Sequence, residues 1–106
     1  GQYYDEALKN VNGITLLERD SRMESSFWIY SLLVERKDDF SKYMKECGIA
    51  TSQVHERNDI HSCLSKYRVQ LPNLDKIKGK LTAIPVGWWV SKEEREYIVE
   101  CIKKGW

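Results

Sequence analysis

A chain of 106 residues, 42% hydrophobic and 31% charged, has the composition of a globular domain and is long enough for one core, not two. Lysine and arginine total 17 against 16 acids, a formal charge of +1, which gives no field to gather nucleic acid or an anionic membrane. The longest apolar runs, "IYSLLV" and "AIPVGWWV", fall well short of the ~20 residues of a membrane span. Three cysteines, Cys47, Cys63 and Cys101, with no C-x-x-C pair, predict small core thiols in a reducing cytoplasm rather than a disulfide framework.

Tyr4, Ala7, Leu8 and Val11 recur at i, i+3, i+4 and i+7, which predicts a helix, and Asn12-Gly13 supplies its left-handed stop. "ITLLE" (14–18) and "FWIYSLLVE" (27–35) read as strands, with the polar "RDSRMESS" looping between them. The second is apolar on both faces, as a strand covered on both sides would be. "KDDFSKYMKEC" sets Phe40, Tyr43, Met44 and Cys47 on one helical stripe, opens with Asp38 and Asp39 in its first turn, and stops at Gly48.

"ATSQVHE" (50–56) reads as a further strand, with Val54 on the core side and His55 turned away from it. Asp59 is placed to cap a short helix over "IHSCLSKY", and "LPNLDKIKGKL" carries Leu74, Ile77 and Leu81 at helical spacing. "TAIPVGWWV" (82–90) is extended, and Pro85 confines it to an edge or a strand end. Ser91-Lys92-Glu93-Glu94 forms a capping box for a last helix that buries Tyr97, Ile98, Cys101 and Ile102 and stops at Gly105. The order predicts one α+β domain: a small mixed or antiparallel sheet of about four strands, backed by helices.

Chemistry concentrates in "SQVHERNDIHSC" (52–63). His55, His61 and Cys63 lack the paired spacing of zinc ligands, so no metal site is predicted. No base is set beside the Cys63 thiol, and no phosphate-cradling glycine run exists. No catalytic residue is assigned. Trp28, Tyr30, Trp88 and Trp89 lie on or beside strands, where alternation buries one of each neighbouring pair and leaves the other at a surface. An exposed indole, taken as Trp88, beside His55, Arg57 and Asn58 would suit a sugar or nucleotide, with a flat apolar face for stacking and a guanidinium for phosphate.

The succession "FWIYSLLVERKDDFSKYMKECGI", "SQVHERNDIHSCL" and "LPNLDKIKGKLTAIPVGWWVSKEEREYIVECIKKGW" resembles the C-terminal region of the DegT/StrS family of sugar aminotransferases, over nearly the whole chain. That region runs as a strand, a helix ending in "GI", a strand ending in a histidine motif, then "LP" or "IP" before an acidic-headed terminal helix. The resemblance implies the small-domain fold of type I pyridoxal-phosphate transferases. It also implies an amino group moved from glutamate to a keto sugar carried on a nucleoside diphosphate, in a homodimer. His55 matches the motif histidine that faces the sugar, and Arg57 falls where some members carry a basic pocket residue. Glu56 departs from the aromatic residue that often follows the histidine, so the sugar is not specified. The family's cofactor lysine, the acid at the pyridine nitrogen and the phosphate cup all belong to a large preceding domain. Residues 1–106 are therefore expected to be a single C-terminal domain of a longer chain, holding no cofactor themselves and partnered by that large domain. Two other readings stand beside it: a dehydratase-type member of the family, and a stand-alone α+β module that binds a small ligand or a protein.

Overall fold

The computed structural model describes residues 1–106. The chain opens with helix α1 (Gln2–Ala7), which ends at Leu8 rather than running through Val11 to the expected stop at Asn12-Gly13; Gly13, at φ 78°, instead turns the following loop into strand β1 (Ile14–Leu16). Strand β2 (Tyr30–Val34) follows the loop and runs into α2 (Lys37–Glu46). Two 3-10 turns, Asn58–Ile60 and Ser62–Tyr67, lead to α3 (Pro72–Ile77), strand β3 (Leu81–Ile84) and the terminal helix α4 (Lys92–Lys104). The sheet has the order β1-β2-β3 and is antiparallel throughout, with Leu16 opposite Leu32 and Tyr30 opposite Ile84.

Alternation along β2 decides where the core lies. Tyr30, Leu32 and Val34 point to one face and are buried against Tyr4 and Leu8, Phe40 and Met44, and Ile98, Val99, Cys101 and Ile102. Full burial of a side chain such as Leu32 or Phe40 contributes about 1.5–3 kcal/mol. Ser31 and Leu33, on the other face, are only half-buried, so the strand is not covered on both sides as its apolar run suggested. α4 opens on the expected capping box: Ser91 Oγ accepts from the Glu94 amide at 3.1 Å, and Glu94 Oε2 accepts from the Ser91 amide at 2.8 Å.

Several expectations need correction. The sheet has three strands because residues 50–56 touch it at one rung only, Ser52 opposite Ala83. One step beyond that rung stands Pro85, which has no N–H to offer, and Val54, 47% exposed, finds no core to enter. Asp59 caps nothing, since its carboxylate is taken by Arg57. Tyr97 is not buried, and its hydroxyl donates to the Cys47 carbonyl. Cys101 is in the core, Cys47 is half-buried and Cys63 is exposed. Trp88 and Trp89 are both exposed, because Gly87–Val90 is a turn rather than a strand and alternation does not apply. The two indoles meet edge to face at 5.9 Å, and the Trp89 ring packs over Gly87, where a Cβ would push the exposed indole aside.

Candidate functional site

After its single rung at Ser52 the chain swings from β3 toward the start of α2 and then toward α3. That path opens a cleft of about 250 Å³ lined by Lys37, Gln53, His55, Glu56, Arg57, Leu74, Ile77, Lys78, Gly79 and Leu81. Gly79, at φ 73°, makes the turn from α3 into β3 that forms its floor.

Arg57 organises the rim. Its Nε and Nη2 donate to the two carboxylate oxygens of Asp59, and Nη1 donates to Asp75 Oδ1 on α3, each at 2.6 Å. The arginine side chain is 12% exposed, and the two aspartates hold its pKa above the ordinary guanidinium range, Asp59 first. Reciprocally, hydrogen bonding from Arg57 holds the Asp59 carboxyl below its usual value. Arg68 closes the same segment by donating Nε to the Asp59 carbonyl at 2.6 Å and Nη2 to that of Ile60 at 2.9 Å. Residues 57–68 are thus held by arginine clasps rather than by a core, and no residue of either 3-10 turn is buried.

On the opposite rim Lys37 Nζ donates to Gln53 Oε1, and Gln53 Nε2 donates to Glu56 Oε2 at 3.0 Å. The His55 imidazole is exposed between the two arrangements. Of the four residues singled out by sequence, His55 and Arg57 line this cleft, whereas Asn58 and Trp88 are exposed outside it. Lys37, Gln53, Glu56 and Asp75 were not anticipated. Asp75 lies 18 positions from its arginine, and nothing in linear spacing links the two. No three His, Cys, Asp or Glu side chains converge as metal ligands do. The cleft offers hydrogen-bond donors, one imidazole and a short apolar stretch, a surface suited to holding a polar ligand.

Residues 1–103 match the DegT/DnrJ/EryC1/StrS aminotransferases. The chain belongs to that family. Among solved structures, the sugar aminotransferase CalS13 from Micromonospora echinospora is 41% identical, with a TM-score of 0.96 over 99% of this chain and 28% of its own. AtS13 from Actinomadura melliaura is 38% identical, with a TM-score of 0.94 over 99% of this chain and 28% of its own. The erythromycin biosynthesis sensory transduction protein EryC1 of Saccharopolyspora erythraea is 25% identical across 98% of this chain and 30% of its own length. This DegT/DnrJ/EryC1/StrS chain therefore spans less than a third of the relatives it matches. No helix in it is long and apolar enough to cross a membrane.

Proposed function

We propose that residues 1–106 are the small domain of a pyridoxal-phosphate-dependent aminotransferase acting on a nucleoside-diphosphate keto sugar, with glutamate as the amino donor. In this reading the domain supplies part of the substrate wall through His55 and Arg57 in the cleft, with Asn58 and Trp88, exposed outside it, as further contacts. It works in the cytoplasm, joined to a large domain of the same chain in a homodimer. The observation that carries the reading is the family match over residues 1–103, supported by 41% identity to a sugar aminotransferase across 99% of the chain.

The chain's own residues do not fit the cofactor. The two lysines of the cleft stand at an open rim, Lys37 tied to Gln53 and Lys78 exposed, and no glycine-rich turn beside them offers amides to a phosphate. In this reading the cofactor lysine and phosphate cup fall in the remaining length of the parent, and the part of His55 is to hold substrate, not to carry covalent chemistry. Arg57 keeps two of its five N–H donors free of the aspartates, but its charge is already balanced. It serves the wall chiefly by fixing the rim on which His55 stands.

The test is made in the full-length protein. His55→Ala should lower kcat/KM for the sugar nucleotide roughly tenfold or more, as loss of a substrate contact does, while the cofactor's visible absorbance is unchanged. Arg57→Ala should act in the same direction and also speed hydrogen exchange across residues 57–75, where its clasp is lost. Wild-type kinetics from both variants would make the stretch purely structural.

A further inference from the structure

Two five-residue steps, "YMKEC" (43–47) and "YIVEC" (97–101), repeat the spacing Tyr-x-x-x-Cys, one at the end of α2 and the other within α4. The repeat has a spatial meaning. The Tyr43 hydroxyl donates to the Cys101 carbonyl at 3.0 Å, and the Tyr97 hydroxyl donates to the Cys47 carbonyl at 3.2 Å. Each tyrosine lies one helical turn before its own cysteine and reaches the other one, so the crossed bonds lay the two steps against each other. Both cysteines are free thiols, Cys47 half-buried and Cys101 2% exposed. Burial pushes the Cys101 thiol up, and the Cys47 thiol beside it acts in the same direction. Cys63 is exposed on a separate element, the 3-10 turn Ser62–Tyr67.

We propose that Cys47 and Cys101 are a modification site: a pair that a peroxide converts to a reversible disulfide joining the end of α2 to α4. Cys47, the more accessible, reacts first. Its thiolate attacks one peroxide oxygen, the O–O bond breaks, and the departing hydroxide takes up a proton as water, leaving Cys47 as a sulfenic acid. Cys101 Sγ then attacks the Cys47 sulfur, the S–O bond breaks, and hydroxide leaves with the Cys101 proton as a second water. Each sulfur gives up one electron, and the peroxide is reduced to two waters. A small thiol restores both cysteines by exchange. The crossed tyrosine bonds anchor the backbone carbonyls of the two cysteines before oxidation, which keeps Cys101 at hand for the second step.

The experiment treats the full-length protein with hydrogen peroxide, blocks remaining thiols by alkylation, and maps unreduced peptides by mass spectrometry. The expected result is a peptide containing Cys47 joined to one containing Cys101, lighter by two hydrogens than their sum and separated by dithiothreitol. The link should persist in Cys63→Ser and be lost in Cys47→Ser and Cys101→Ser. Conversion of Cys47 to a sulfinic acid with no linked peptide, or linkage of either cysteine to Cys63, would overturn the proposal. Because the wild-type map alone decides between these results, a variant that failed to fold would not blunt the test.

Discussion

Tyr4 shows how much one buried phenol can couple this fold to pH. It is 2% exposed, its ring meets Tyr30 edge-on at 5.0 Å, and its hydroxyl donates to the Pro85 carbonyl at 2.9 Å. Burial, the largest cause, pushes its pKa from 10.0 up to about 12. A group whose folded pKa is raised contributes stability that is complete below its unfolded value and is lost as pH climbs through its folded one. The fold should therefore weaken between pH 10 and about 12, by on the order of 2–3 kcal/mol from Tyr4 at about 1.4 kcal/mol per unit. Tyr30 is raised as well, by burial and by its bond to Asp5, and steepens the same decline. Urea midpoints measured across this range should fall for the wild type and fall less steeply for Tyr4→Phe. Identical slopes would mean that the phenol of residue 4 ionises freely in the folded protein.

α4 is the element on which local sequence and final packing agree most closely, and its cap is a direct test of that agreement. Ser91→Ala removes the acceptor for the Glu94 amide and should cost about 1 kcal/mol of stability, read as a lower urea midpoint with unchanged slope. Ser91→Asp should recover most of it. Elements with both a period and a stop signal were legible in the sequence: α2 with Phe40 and Met44 on its stripe and α4 with its capping box, whereas β2 was legible as a strand but not in its one-sided burial. The segment from residue 50 to residue 70 was legible only in its short helix, which forms as the 3-10 turn Ser62–Tyr67. Its apolar residues Val54, Ile60, Leu64, Tyr67 and Val69 are exposed, so hydrophobic pattern, the signal by which strands and helices are read, carried no burial there. What shapes the segment is the reach of Arg57 and Arg68 across it, a matter of long side chains rather than of period. The candidate site was half legible for the same reason. His55 and Arg57 stand out by type, but their companions Lys37 and Asp75 come from elements far along the chain.

The whole molecule is looser than a free-standing domain of its length. Its radius of gyration is 15.3 Å, against about 13 Å expected for this many residues, and only 15 of 106 residues are buried. Trp28, Tyr67, Val69 and Trp88 are each at least 67% exposed, a supply of apolar contacts for association. The isolated 106-residue chain should therefore associate with itself, seen in sedimentation velocity as a weight-average mass that rises with concentration. A strict monomer throughout would favour the stand-alone module. The single rung between Ser52 and Ala83 governs what kind of association this can be. The backbone of β3 turns residues 81, 83 and 85 outward, since the Lys80 carbonyl accepts from Val34 on the other side. Ala83 is already paired in both directions, Pro85 has no hydrogen to give, and β1, the opposite border, is three residues long. Strand addition is thus left only the outward backbone of Leu81 at one border and a three-residue strand at the other, too little to seed a cross-β fibril. The clusters should form through indole and aliphatic contacts alone, stay silent to thioflavin, and dissolve on dilution.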